Sequence, residues 1–277
     1  MPETPLEEGV YYQRIARPYS NDHTDSPGWN PEDEEKSNQY EKTKTLAESA
    51  GQLHHLKEHL EEICRVIYPC GENNLRAYGH EIRNVLIVAC TEVEAQWQGI
   101  LKANGYKFEK DFASTHDYVE LLVPLRLNRY SVRFPYFPAI EPIAPFEGWK
   151  KATPTGSLEW YAAYNKAKHD RELNFNQAQL RHALAAAAAY FVMLCAQHGW
   201  EIAARPREAS TRFFCLKDKP SWEKEHCYTP ITRGRERVFN KCKRLFPKAN
   251  AVEERSPLIL AEKPDRQPNL EAGSVVP

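Results

Sequence analysis

Apolar residues recur at three- and four-residue steps in three long stretches of this chain. Leu46, Ala50, Leu53, Leu56, Leu60, Ile63 and Ile67 form one stripe. Ile82, Leu86, Ala89, Val93, Trp97 and Ile100 form a second, and Leu180, Leu184, Ala187, Phe191 and Leu194 a third. This spacing gathers each set on one face of an α-helix. It predicts helices near 45–68, 78–103 and 158–198, the last broken near 170–176. The stop signals agree: Pro69 and Gly71 after the first, Asn104-Gly105 after the second, Gly199 after the third. Ser157 and Asn176 are candidate N-caps for the two halves of the last stretch. A shorter helix is predicted over 115–123. Residues 125–137 alternate apolar and polar and carry β-branched and aromatic side chains, which predicts a short strand or hairpin, and 212–216 a further strand. Pro135, Pro138, Pro142 and Pro145 impose an extended connection in between.

Both ends lack this periodicity. Residues 1–44 are rich in Pro, Ser, Asn and acidic residues, including the run Glu32-Asp33-Glu34-Glu35, and a segment with so few aliphatics cannot outweigh its ordering entropy. They are predicted to be disordered, with Tyr11, Tyr12, Ile15 and Tyr19 placed to dock locally. Residues 249–277 have the same character. The predicted organisation is therefore an acidic disordered segment over 1–44, a helical domain over 45–216, a basic extension over 217–248 and a disordered tail over 249–277. The fold class is all-α, a four- to five-helix bundle with a small β insertion. The alanine run at 185–189 implies either a very close helix contact, at a subunit interface, or plain helix propensity.

Composition narrows the chemistry. With 42% hydrophobic and 27% charged residues the chain has ordinary globular proportions. The formal net charge of -1 means that any affinity for nucleic acid must come from a local patch. The seven cysteines are scattered and contain no C-x-x-C pair, which argues against a zinc site or a disulfide framework and for a reduced, cytoplasmic protein. No secretory signal and no bilayer-length apolar run is present, so no membrane partner is expected. Phosphate-binding glycine loops and the H-E-x-x-H and G-x-S-x-G signatures are absent as well. His55 and His59 stand one helical turn apart but lack a third ligand nearby, so neither metal nor cofactor is expected.

One stretch concentrates reactive side chains: Tyr164-Asn165-Lys166-Ala167-Lys168-His169-Asp170-Arg171. On a helix Trp160, Ala163, Tyr164 and Ala167 share one face, while Leu158, Tyr161, Ala162, Asn165 and His169 lie on roughly the opposite one. Asn165 and His169, four residues apart, can reach a common ligand or bond each other. His169 is a candidate general acid/base, with Asn165 orienting it and Lys166 or Arg171 stabilising charge on a phosphoryl group. The structural alternative is a satisfied buried Asn–His pair that ends the helix.

The segment from Trp160 to Val192, with its W-x-x-x-Y-N-x-x-K-H run, Asn-Phe turn and alanine-rich helix, resembles the C-terminal helix pair of bacterial HEPN-like proteins. Arg83-Asn84 and Glu92-Val93-Glu94 in the preceding helix, and Phe213-Phe214-Cys215-Leu216, fit the same layout. In that superfamily, catalytic members use an arginine, a polar residue, three variable residues and a histidine, paired across a dimer, to cleave RNA without metal. Here the histidine falls on His169, the polar residue on Asn165, and the arginine position holds Tyr164. The resemblance therefore implies a HEPN-like bundle that binds RNA or a partner protein, in a bacterial defence or toxin–antitoxin setting. The alternative it implies is a metal-independent endoribonuclease using His169 and Asn165 across a homodimer, with Lys166, Lys168 or Arg171 replacing the arginine. A homodimer is expected on either reading, the more so as Leu158, Tyr161 and Ala162 share the His169 side.

A second basic feature follows. Residues 204–248 hold thirteen Lys/Arg against five Asp/Glu, a local excess of eight. With Lys168, the cations Arg233, Arg235, Arg237, Lys241, Lys243 and Arg244 are the candidate phosphate contacts. If helical, this stretch buries Val238, Cys242 and Leu245. The alternative is a solvated face paired with the acidic N-terminal run.

Overall fold

The alanine-rich helix forms the axis of the molecule. In a computed structural model that describes residues 10–18, 40–108, 113–199, 213–223, 226, 241–243 and 245–246, seven helices and four short strands are present. The helices are α1 (Tyr40–Val66), α2 (Gly71–Leu75), α3 (His80–Ala103), α4 (Thr115–Tyr118), α5 (Glu159–His169), α6 (Arg171–Asn174) and α7 (Leu180–His198). The strands are β1 (Val10–Tyr12), β2 (Ser131–Arg133), β3 (Cys215–Asp218) and β4 (Lys241–Lys243). Helix α7 packs on α1, α3 and α5 at once. It is apolar around nearly its whole circumference because it has no solvent face over most of its length. It is also the one described helix long and apolar enough to cross a membrane, yet 83% of that stretch is buried inside the protein. Ala186, Ala187, Ala188 and Ala189 are wholly buried within this chain. The small side chains thus serve an intramolecular helix contact, and the subunit-interface reading of the run falls away.

The α3 stripe is buried at every member, from Ile82 to Ile100. In α1, Leu46, Leu56, Leu60 and Cys64 are buried, with Leu53 and Ile63, and Ile67 just past the helix end, at the margin of the core. Gly199, at φ 99°, ends α7 in a conformation that a side chain would strain. The proline-rich connection is wound around an aromatic cluster. Trp97 stacks on Trp149 at 5.1 Å between centroids and lies 6.3 Å from Trp160. The indole nitrogens of Trp149 and Trp160 donate to the carbonyls of Pro154 (2.9 Å) and Pro145 (2.8 Å). That clamp sets the position of α5.

Several sequence expectations change. The 125–137 segment is not a hairpin: a 3-10 turn at Leu127–Arg129 precedes β2, whose antiparallel partner is the distant β3. The 115–123 helix is a single turn, α4, continued as a 3-10 turn at Val119–Leu121. The strand expected at 212–216 lies at 215–218. Neither Ser157 nor Asn176 caps a helix; the residues before α5 and α7 are Leu158 and Gln179, and the Ser157 hydroxyl instead accepts from the Lys150 amide.

The N-terminal segment also departs from disorder. Tyr12, Ile15, Ala16 and Arg17 are buried, and β1 pairs in parallel with β4, Val10 opposite Lys241. Residues 241–243 are therefore a strand rather than part of a helix, because β1 offers them a backbone partner. The Phe246 amide then donates to the Asn104 carbonyl at 3.1 Å. Residues 10–18 and the start of α1 at residue 40 thus fall inside the stretch read as a disordered tail. The acidic run 32–35 and residues 249–277 lie outside the described residues.

Candidate functional site

The charged end of α5 is held in place from two sides. Its buried arc comprises Trp160, Tyr161, Ala163, Tyr164 and Ala167. Tyr161 therefore joins Tyr164 in the core instead of standing on an opposite face with His169, because α5 is wedged between α3 and α7 and buries a wide sector. From α3, Arg83 donates through Nε (3.3 Å) and Nη2 (3.2 Å) to the Ala167 carbonyl. This cation on an otherwise unsatisfied C-terminal carbonyl stabilises the helix end, as do Lys166, Lys168 and His169 in the same last turn.

Beneath that end lies a network that the sequence did not reveal. Glu94 of α3 accepts from the Tyr161 hydroxyl and, at 3.5 Å, from the Tyr164 hydroxyl. Lys168 donates to the Tyr164 hydroxyl at 2.9 Å, with its ammonium 5.0 Å from the ring centroid. Burial and the Glu94 charge raise the Tyr161 phenol well above its usual range. Burial likewise raises Tyr164, against the opposing hydrogen bond from Lys168. That hydrogen bond in turn raises Lys168, which is thus held protonated. Both phenols stay neutral donors. The signal available in sequence was the shared period of Glu94 with the α3 core stripe, an acid one step off an apolar face.

The predicted catalytic group is only partly assembled. The Asn165 amide donates to the Tyr161 carbonyl of its own helix at 2.9 Å. It does not orient His169, because the carbonyl one turn back is nearer and already placed. His169 is the last residue of α5, exposed, and without a hydrogen bond among the described residues, so the buried Asn–His pair is not formed either. Lys166 and Lys168 are exposed on α5 and Arg171 is exposed on α6. Asp170 between them caps α6, accepting from the Leu173 amide at 3.3 Å. Tyr164 is 1% exposed.

These residues share a pole of the bundle with the α2–α3 and α6–α7 connections. The Leu180 amide donates to the Ala77 carbonyl (2.8 Å), and Tyr78 bridges Gln179. Arg181 and Arg76 both hold Glu72, at 2.6 and 2.8 Å. Among the predicted nucleic-acid contacts, Lys241 and Lys243 lie on β4, beside the C-terminal end of α3, whereas the His169 motif lies beside its N-terminal end. The length of α3 separates the two, about 30 Å at 1.5 Å per residue. Within one chain they are two surfaces. Arg233, Arg235, Arg237 and Arg244 lie outside the described residues. His54 and His55 pair with Glu58 on the exposed face of α1, and no group of three metal-ligating side chains occurs among the described residues.

Comparison of the chain with protein-family models, with curated proteins and with solved structures finds no match.

Proposed function

We propose that this chain is a HEPN-like nucleic-acid-binding module that takes RNA on the pole around the end of α5. The observation that carries this reading is the fate of Tyr164. A phenol supplies no cation for a scissile phosphate, and here its ring is buried and its hydroxyl donates to Glu94 and accepts from Lys168, so it has no free donor for one either. Around it Lys166, Lys168, His169 and Arg171 are exposed, a set suited to tracking a phosphate backbone. The proposed setting is a bacterial defence or toxin–antitoxin system in the cytoplasm. The homodimer belongs to the proposal through the family resemblance alone, since Leu158 and Tyr161 are covered within the chain.

Arg83 favours a second reading, a metal-independent endoribonuclease. Its guanidinium sits on the Ala167 carbonyl, two residues before His169, and brings from α3 the positive charge that Tyr164 lacks. In this reading His169 takes the proton of an RNA 2′-hydroxyl and the 2′-oxygen attacks the adjacent phosphorus. The 5′-oxygen then leaves and takes a proton from water, yielding a 2′,3′-cyclic phosphate and a 5′-hydroxyl, with Arg83 near the charge that builds and the protonated His169 returning its proton to solvent.

Incubation of the pure protein with mixed RNA in EDTA, beside His169→Ala, separates the two. Salt-dependent binding by both proteins without cleavage is expected. Cleavage by the parent that His169→Ala abolishes would overturn the binding reading in favour of the enzyme. Cleavage by both proteins would indicate contamination. Absence of both binding and cleavage would remove either nucleic-acid role and leave a partner protein as the ligand.

A further inference from the structure

We infer that this pole carries a stacking platform for the bases of a single-stranded nucleic acid, built from Tyr78, Phe175 and His80. The inference rests on the binding reading above and names the form of its ligand. Tyr78 is 54% exposed although it is a large aromatic residue at a turn between two helices. Its ring lies 5.7 Å from Phe175, edge to face, and Phe175 lies 4.9 Å from the exposed His80 ring. Leu173, two residues before Phe175 in the chain, is 80% exposed. Two exposed rings joined through Phe175 at a solvent-facing pole form a patch that folding alone leaves unused, and such patches mark binding sites.

Charge decides what covers it. His80 and Arg83 are one helical step apart on α3, so the rings adjoin the Arg83–Ala167 contact and the cations beyond it. On the other side Arg76 and Arg181 converge on a single carboxylate, Glu72. Two arginines facing one acid leave a positive excess there too. Counted with the carboxylates of the same segments, Glu72, Glu81, Asp170 and Glu172, the cations Arg76, Arg83, Lys166, Lys168, Arg171 and Arg181 still leave a net positive charge, so a second copy of the same pole would meet a net like charge. A polyanion would be attracted from both sides of the ring cluster, and aromatic rings between cations suit a strand whose bases are free to stack. In a duplex the bases are already stacked on each other and shielded by the backbones, so rings of this kind gain little from it.

The test uses fluorescence anisotropy with labelled oligonucleotides of one length and sequence: single-stranded RNA, single-stranded DNA, the matching duplex, and an abasic strand that keeps the phosphates. The full chain is compared with Tyr78→Ala and Tyr78→Phe. The expected result is tighter binding of the intact single strand than of the abasic strand. Tyr78→Ala should lose about tenfold in affinity for the former, within the range for one stacked base, and Tyr78→Phe should keep it. The DNA arm reports whether the 2′-hydroxyl is read in addition. Equal, salt-dependent binding of intact, abasic and duplex forms would overturn the platform while leaving the phosphate-binding proposal standing. No binding of any form would overturn both. If Tyr78→Ala instead changes the oligomeric state and leaves oligonucleotide affinity untouched, the patch is a contact between copies and the platform is refuted.

Discussion

Replacing Gly99 by alanine should reverse its effect on stability according to what occupies position 14. Gly99 lies on the α3 surface that the Arg14 guanidinium covers: a Cβ built there would stand 1.8 Å from Nη1 and 2.6 Å from Cζ. Ordinary contact begins near 3.4 Å, so the guanidinium must retreat by about 1.6 Å. It is not free to do so. Its Nε donates to Gln197 Oε1 at 3.0 Å and its Nη2 to Gln96 Oε1 at 3.4 Å, and the residue is held at φ 57°. A retreat of that size breaks both bonds. Hydrogen bonds from a charged group are worth roughly 1.5–3 kcal/mol each, the long one less, so the loss is about 2–4 kcal/mol. Alanine returns about 1 kcal/mol through its higher helix propensity. The net expectation is destabilisation by about 1–3 kcal/mol in the parent. In an Arg14→Ala background the obstruction is gone, and Gly99→Ala should stabilise by about 1 kcal/mol. The cost of Arg14→Ala itself, including its positive φ, is common to both arms and cancels. Urea unfolding of the four proteins, followed by far-UV circular dichroism, measures the coupling. Stabilisation by Gly99→Ala in both backgrounds, or a coupling within the roughly 0.5 kcal/mol expected of independent sites, would refute the placement of Arg14.

Three further outcomes follow from the same geometry. Burial, with Arg14 as a lesser cause, lowers the His198 imidazole from 6.5 to about 4. The folded state therefore binds this proton less readily than the unfolded chain. Stability is intact above pH 6.5 and falls as the pH drops toward 4, by up to roughly 3 kcal/mol from this group. His198→Leu should flatten that window in urea titrations at stepped pH, and an unchanged slope would count against burial of the ring. Tyr161→Phe removes the closer of the two phenols on Glu94 and should cost about 1–2 kcal/mol, with Tyr164→Phe costing less at that carboxylate because its bond is 3.5 Å long; equal melting of the Tyr161→Phe and parent proteins would contradict the network. Static light scattering is expected to give a dimer at concentrations of order tens of micromolar, and a monomer there would remove the assembly from the proposal.

The helical core was legible because its signals are local. The α1 and α3 stripes, the Asn104-Gly105 stop and Gly199 each act within a turn or two of chain, and the observed helices follow them. What escaped is non-local. β2 read as half of a hairpin because alternation cannot name a partner, and its partner β3 lies more than 80 residues away. The N-terminal segment read as disordered because its composition is polar; the local docking expected of Tyr12 and Ile15 occurs, but composition could not name β4 as the backbone edge that pairs with β1. At the candidate site, the wheel put Tyr164 in the core correctly. It misplaced Tyr161, since the width of a buried sector depends on how many neighbours a helix has. Asn165 and His169 have the spacing of a bonded pair, but spacing could not show that the Asn165 amide already had a carbonyl to bond.

The pairing of β1 with β4 also fixes an order of events on the ribosome. The two strands are parallel and about 230 residues apart, so the whole helical bundle is their crossover connection. At roughly 5–20 residues per second, β1 is made and then waits on the order of ten to fifty seconds for its partner. Helices α1 to α7 can assemble meanwhile from contacts nearer in sequence. The slot that receives Arg14 is thus the last part of the described structure to gain its latch. A chain cut short before residue 241 is expected to lose more than an end: β1 would be left without its edge partner, and Arg14, two residues beyond it, would be held over Gln96 and Gln197 from one side only.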